Sequence, residues 1–146
     1  MKKVIIIALA LIASNGSVAT GVGNTDLSRH TKIVSTKFDA FNRHDAATIQ
    51  ASYAPNAVLH SPDYPDLHGN SAIADTYRSL FDAIPDATDT IQALGYSDNK
   101  VYAQFLLSGH VKGAPDKPVS VRIMSVYTIR DNLIVEDATY YDRKAP

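Results

Sequence analysis

The segment 118–142 constrains the fold more than any other, because its side chains alternate between two faces. Every second residue over 119–129 falls on one face, and that face is apolar apart from one hydroxyl and one phenol. A period of two residues is typical of a strand with one buried face. The dipeptide 131–132 (Asp-Asn) tolerates positive φ and predicts a tight turn. Residues 133–141 then return as a second strand, rich in β-branched and aromatic side chains.

The two polar groups on the apolar face belong to Ser125 and Tyr127. On a wall that is otherwise dry, they are candidate ligand-binding residues. Buried hydroxyls usually find hydrogen-bond partners in the protein itself. The alternative is therefore that both groups simply bond to neighbouring backbone, and the sequence leaves the two interpretations open.

Length and composition limit the classes of function. The 146 residues suffice for one domain with a hydrophobic core. The absence of cysteine excludes disulfides, thiolate nucleophiles and cysteine-ligated metals. The net charge of −1 indicates no basic patch, so we expect no nucleic-acid partner. We expect no cofactor either.

Residues 1–19 have the features of a secretory signal peptide. A basic start at 1–3 precedes an unbroken apolar run at 4–13, and small residues lead up to a cleavage site after Ala19. The run is too short to span a bilayer, which takes about 20 residues, although a retained membrane anchor is the alternative. We expect a secreted or periplasmic domain of residues 20–146 that has no membrane contact after cleavage.

Helical patterns come first along the remaining chain and strand patterns last. The predicted helices begin after Thr25 or Asp26, at Ala46, and after Asn70 or Ser71. A short strand at 57–60 is followed by a predicted loop at 61–69, and three further strands cover 88–96, 100–112 and 118–130 before the return strand. This order predicts an α+β fold in which four antiparallel strands form a curved sheet over three N-terminal helices, with a pocket at the open end.

The chain resembles the SnoaL-like polyketide cyclases of the nuclear transport factor 2-like superfamily. The matching segments are FNRHD at 41–45, YAPNAVLH at 53–60, LHGNSAI at 67–73, IPD at 84–86, SGHVKG at 108–113, IVE at 134–136 and YYD at 140–142. The resemblance implies a cone-shaped α+β barrel that often dimerises across its sheet. Because this fold carries many unrelated activities, the resemblance does not specify one.

Three positions depart from the pattern that the resemblance implies. The acid/base aspartate of the family's penultimate strand corresponds to Ser125, which cannot shuttle protons near neutral pH without a base. The family histidine falls on Val111, and a frequent tryptophan falls on Ala138. The scaffold is therefore expected to be intact, whereas cyclase chemistry is not.

His60 is the candidate catalytic residue, because it ends the short strand at the expected mouth of the pocket. An imidazole titrates near neutral pH and can act as a base or as a hydrogen-bond donor. The alternative is a half-exposed histidine at a strand end. A metal site built from His60, Asp63, Asp66 and His68 is conceivable, but the spacing matches no known family, so none is predicted.

Four further residues complete the predicted ligand-binding set with Ser125. Asn42 and Tyr53 follow from the resemblance as orienting donors, with a helix C-cap and a core position as their alternatives. Tyr77 and Tyr127 are predicted by periodicity to point inward as wall residues.

Three hypotheses of function follow. The first is an exported binding protein whose apolar pocket takes a small, ring-containing molecule. The second is a lyase, isomerase or hydrolase that acts by acid/base chemistry through His60. The third is a dimeric interaction domain without a ligand. The outer face of the sheet is amphipathic around Leu106, Arg122, Met124 and Val126, so a homodimer is expected.

Overall fold

The computed structural model describes the backbone of residues 22–141 and the side chains of residues 26–141. The three helices are α1 (Val22–Asn42), α2 (Ala46–Ser52) and α3 (Asn70–Ala83). The six strands are β1 (Tyr53–Ser61), β2 (Tyr64–His68), β3 (Thr88–Ser97), β4 (Lys100–Val111), β5 (Ala114–Arg130) and β6 (Leu133–Tyr141). The predicted signal peptide lies outside the described residues. Within them, no helix has the length and apolar character needed to cross a membrane.

The strands form one sheet in the order β2-β1-β6-β5-β4-β3. All neighbouring strands are antiparallel except β1 and β6, which run parallel. The predicted α+β class is therefore confirmed, but the prediction of a four-stranded, wholly antiparallel sheet is wrong. Parallel neighbours require a long crossover connection, and here the chain between β1 and β6 includes α3 and four strands of the sheet.

The long hairpin predicted over 118–142 is confirmed by β5 and β6. Asp131 and Asn132 adopt φ of 49° and 62°, the left-handed values that the turn requires. Ile123, Ser125 and Tyr127 are all buried, so the register inferred from periodicity is correct. A slip of one residue would have exchanged the two faces.

The hydrophobic core lies between the helices and the inner face of the sheet. Phe38 of α1 packs edge-on against Phe105 of β4, with ring centroids 4.8 Å apart, and against Tyr127 of β5 at 6.3 Å. The N-terminus of α2 is capped as predicted, because Asp45 accepts a hydrogen bond from the Thr48 backbone at 3.0 Å.

Three local predictions are wrong. Helix α1 begins at Val22, ahead of the expected cap at Thr25 or Asp26. The predicted loop at 61–69 contains β2, which tolerates proline because it is an edge strand. The alternation over 100–112 predicts that Val111 faces inward, but Val111 is exposed, and the β4–β5 register shifts between His110 and Val111.

Candidate functional site

A cavity of about 260 Å³ opens between the helices and the inner face of the sheet. Most of its wall is apolar, with side chains from all the layers that enclose it. The apolar lining residues are Phe41, Leu59, Leu80, Phe105, Leu107, Val121 and Ile123, and Tyr77 adds an aromatic face. The buried polar residues on the wall are Lys37, Asp89 and Ser125. A mostly apolar cavity with a few placed polar groups is the usual form of a small-molecule site.

Lys37 is the least expected residue of this wall, since it is only 2% exposed. Position 37 lies on the inward face of α1, one turn after Ile33 and Val34 and beside Phe38. Its ammonium group donates to the Tyr127 hydroxyl at 3.2 Å. The helix therefore carries a charged group directly into the core.

Aromatic rings and acidic groups surround the Lys37 ammonium. Its Nζ lies 4.8 Å from the ring centroid of Phe38, 4.9 Å from that of Tyr77 and 5.3 Å from that of Tyr127. Ring faces attract a cation at these distances. Burial by itself lowers the pKa of Lys37, but the surrounding groups outweigh it and hold that pKa above the usual lysine value. These groups are Tyr127, Tyr77, Asp137 and Asp89.

Of the two buried acids that act on Lys37, Asp137 of β6 and Asp89 of β3, Asp137 has the more completely hydrogen-bonded carboxyl. Tyr53 donates to its Oδ2 at 2.6 Å and Thr139 donates to its Oδ1 at 3.1 Å. The Thr139 hydroxyl is also 2.7 Å from the hydroxyl of Ser125. Burial raises the pKa of Asp137, while the Lys37 ammonium and the two hydroxyl donors act to lower it, and the net direction is upward.

Asp89 of β3 lies on the cavity wall, and its carboxyl is less completely hydrogen-bonded than that of Asp137. Its backbone is fixed by Asn42, whose amide nitrogen donates to the Asp89 carbonyl at 2.9 Å and whose amide oxygen accepts from the Asp89 N–H at 2.7 Å. In contrast to the backbone of Asp89, the buried Oδ1 of its side chain has no hydrogen-bond partner. Among the described side chains only Nδ1 of His30 shares this property.

Burial raises the pKa of Asp89 to about 7, against a partial opposing effect of the Lys37 ammonium. A carboxyl with this pKa exchanges its proton near neutral pH. Acid/base groups in catalytic sites have this property, although structural clusters share it.

The structure separates the predicted site residues into three groups. Tyr77 and Ser125 line the cavity. Tyr53 and Tyr127 are buried beside it, where they bond to Asp137 and Lys37 respectively. Asn42 is outside the cavity and uses both polar atoms of its amide on the Asp89 backbone. The role of Asn42 is therefore structural, because its side chain positions the cavity residue Asp89 and does not bind a ligand directly.

His60 lies on the opposite face of the sheet from the cavity. Its neighbours Leu59 and Ser61 line the cavity, and alternation along β1 turns the intervening residue outward. The imidazole is 39% exposed, with Nδ1 2.8 Å from Asp66 and Nε2 3.5 Å from Glu136. The placement of His60 at the pocket is wrong, because the inward positions of β1 are the odd-numbered ones.

Lys37, Asp89 and Asp137 are the functional candidates that sequence reasoning missed. Each one occupies an inward position of a correctly predicted element, Lys37 on α1 and the two acids on β3 and β6. A charged residue on a predicted buried face is the available signal, because such residues are rarely buried unless they are paired. Among the described residues, no group of three or more His, Asp or Glu side chains is arranged to hold a metal ion.

The raised pKa of Asp89 has a measurable consequence for stability. Because the folded-state value of about 7 lies above the ordinary value of 3.8, the folded protein holds a proton between these pH values that the unfolded chain has lost. This carboxyl therefore contributes its full stability below about pH 4, and the contribution falls by about 1.4 kcal/mol per pH unit up to pH 7. The isosteric Asp89→Asn variant has no such proton.

We therefore expect Asp89→Asn to gain stability relative to the wild type as the pH rises from 5 to 7, in urea unfolding at each pH. The exposed Asp82→Asn is the matched control and should follow the wild-type profile. Parallel profiles for Asp89→Asn and the wild type would show that Asp89 ionises normally.

Solved structures confirm the fold. A protein from Jannaschia sp. CCS1 described as a SnoaL-like polyketide cyclase is 16% identical, with a TM-score of 0.71 over 79% of this chain and 86% of the other. A protein with a ketosteroid isomerase-like fold from Catenulispora acidiphila, solved with trimethylamine, is 21% identical, with a TM-score of 0.69 over 75% of this chain and 84% of the other. An M. tuberculosis LEH-like epoxide hydrolase is 16% identical, with a TM-score of 0.69 over 79% and 84%. At these identities the likeness establishes the architecture alone.

Among curated proteins, none matches the sequence. The family model of the SnoaL-like domain matches residues 34–137, which include most of the cavity-lining residues as well as Lys37, Asp89 and Asp137. The chain thus belongs to the SnoaL-like domain family.

Proposed function

We propose that this protein binds a small, largely apolar, ring-containing molecule in the cavity beneath its sheet. One observation carries the proposal, namely an apolar cavity of about 260 Å³ that also presents Lys37, Asp89 and Ser125 on its wall. An apolar cavity of about 150 Å³ is known to hold benzene. The larger volume here accommodates a ring with substituents or two fused rings.

A second candidate function is acid/base catalysis of the lyase, isomerase or hydrolase type. Asp89 favours it, because its carboxyl lies on the cavity wall and has a pKa of about 7. The expected role of His60 as the base is not retained, since that imidazole is on the other face of the sheet. The epoxide hydrolase and the cyclase named above have the same fold, which supports this candidate by analogy only.

Filling the cavity tests the binding proposal. Val121 lines the cavity, so Val121→Trp places an indole inside it. We expect naphthalene to bind the wild type with micromolar to millimolar affinity, as measured by quenching of naphthalene fluorescence. Its affinity for the Val121→Trp variant should be at least tenfold lower. Each tenfold loss corresponds to about 1.4 kcal/mol.

Ser120→Trp is the matched control, because Ser120 is exposed one position earlier on the same strand. It should bind naphthalene as the wild type does. Equal affinities for wild type and Val121→Trp would place any binding outside the cavity. Preserved circular dichroism of Val121→Trp establishes that the variant has folded.

We further propose a homodimer formed through the outer face of the sheet. Gln104, Met124 and Tyr140 are cross-strand neighbours on β4, β5 and β6. Met124 is 40% exposed and Tyr140 is 61% exposed, and a shallow depression between them extends to Arg122. A stable interface buries about 800 Å² per partner, commonly with aromatic residues, methionine and arginine at its centre.

Met124→Glu should shift a wild-type dimer to monomer in analytical ultracentrifugation, because it places an unpaired charge in the contact. Ser79→Glu on the exposed face of α3 adds the same charge elsewhere and should leave the dimer intact. A wild type that sediments as a monomer at high concentration would contradict the proposal and remove the dimeric interaction domain as a function.

Export is also a proposal, supported by the residue pattern of 1–19. We expect the exported protein to begin near Thr20, as intact mass and N-terminal sequencing would show. Exported protein that retains residues 1–19 would contradict it.

A further inference from the structure

We propose that the ligand of this cavity carries a hydroxyl group on its ring, which donates a hydrogen bond to Asp89 and accepts one from Lys37. The inference rests on the proposed binding function and specifies the class of ligand, a neutral hydroxylated ring. No part of it depends on His60 or on the outer face of the sheet.

The demand for a donor comes from Asp89. Asp89 lines the cavity, and the buried Oδ1 of its carboxyl has no hydrogen-bond partner. A buried carboxyl oxygen left unpaired is costly, so such atoms normally bond to water or to a ligand. The two hydrogen bonds from Asn42 fix the backbone of Asp89. The carboxyl is therefore held at the cavity wall, where a molecule in the cavity can supply the missing donor.

The demand for an acceptor comes from Lys37. An ammonium group has three N–H donors and no acceptor. One donor is directed to Tyr127 at 3.2 Å, and Lys37 is one of the residues that line the cavity. Hydrogen bonds that involve a charged partner are roughly twice as strong as neutral ones. A ligand oxygen that accepts from Lys37 is thus favoured over a purely apolar ligand.

The charges around the cavity argue for a neutral ligand. One ammonium, Lys37, is opposed by two buried carboxyls, Asp89 and Asp137. A ligand carboxylate would add a third acid to this set and would meet Asp89 as a like charge. A hydroxyl can donate a hydrogen bond to Asp89 and accept one from Lys37 without adding charge, because a single hydroxyl oxygen can donate and accept at the same time.

The proposed contact also predicts how binding depends on pH. Lys37 of α1 acts on Asp89 directly and favours its ionised form. Tyr77 of α3, Tyr127 of β5 and Asp137 of β6 act on Lys37, and His44 in the turn after α1 contacts the carbonyl of Ala87, two residues before Asp89. A hydroxyl donates more strongly to a carboxylate than to a neutral carboxyl. Affinity for the hydroxylated ligand should therefore rise as the pH is raised through about 7.

Four matched probes test the inference on the wild-type protein. Naphthalene supplies the ring alone, 2-methoxynaphthalene adds an acceptor, 2-naphthol adds both a donor and an acceptor, and 2-naphthoate adds a carboxylate. We expect 2-naphthol to bind roughly tenfold or more tightly than naphthalene at pH 8, the effect of one hydrogen bond to a charged group. The preference for 2-naphthol over 2-methoxynaphthalene should diminish at pH 6, and 2-naphthoate should bind most weakly.

Variants assign the preference to the named residues. Asp89→Asn should reduce the advantage of 2-naphthol over 2-methoxynaphthalene and abolish its pH dependence, with Asp82→Asn as the exposed control. Lys37→Met should reduce the advantage of 2-methoxynaphthalene over naphthalene, with the exposed Lys32→Met as its control. The circular dichroism spectrum of Asp89→Asn should match that of the wild type, which shows that this variant has folded.

The possible outcomes separate a failure of the hydroxyl inference from a failure of the proposed binding function. If naphthalene and 2-naphthol bind equally well, or if 2-naphthoate binds best, the hydroxyl inference is overturned while the apolar binding function stands. If none of the four probes binds at millimolar concentration, the proposed function is overturned and the inference with it. These comparisons use the wild-type protein, so they test the inference even if one of the variants fails to fold.

Discussion

The burial of Lys37 is the constraint on which the rest of the site depends. Its ammonium is stabilised by the Tyr127 hydroxyl and by three aromatic rings, and the buried residues Asp137 and Asp89 also act to raise its pKa. Removal of one partner from such a group usually costs several kcal/mol, because it leaves an uncompensated buried charge. Helix α1 and strands β3, β5 and β6 are therefore linked through polar contacts as well as through the packing of Phe38 and Phe105.

The two carboxyls of this cluster have different surroundings and, we infer, different roles. Asp137 receives hydrogen bonds from Tyr53 and Thr139, and it supports the core. Asp89 lies on the cavity wall with an unpaired oxygen and a pKa of about 7. The acid with two hydroxyl donors therefore lies behind the wall, and the acid with an unpaired oxygen lies on it. The cavity thereby combines an apolar volume with one reactive or recognising group.

Much of the fold was predictable because periodicity reports burial directly. Alternation fixed the register of Ser125 and Tyr127 on β5, and helical spacing placed Tyr77 on the inner face of α3. Long-range pairing was less predictable, since local sequence does not say that β1 runs parallel to β6. The site was predicted only in part. The position of His60 at a strand end suggested the pocket mouth, but the alternation of β1 turns its side chain away from the cavity. Lys37, Asp89 and Asp137 were missed because the groups that surround them come from distant segments of the chain.

Measurement of the ionisation of Asp89 by carbon-13 NMR tests the central claim most directly. The side-chain carboxyl resonance, assigned by its loss in Asp89→Asn, is followed from pH 3 to pH 9 in the wild type and in Lys37→Met. We expect a midpoint near pH 7 in the wild type and a higher midpoint in Lys37→Met, because the nearby cation that favours the carboxylate is then absent. A wild-type midpoint near pH 4 that Lys37→Met leaves unchanged would show that Asp89 is neither buried nor coupled to Lys37, and it would contradict the account.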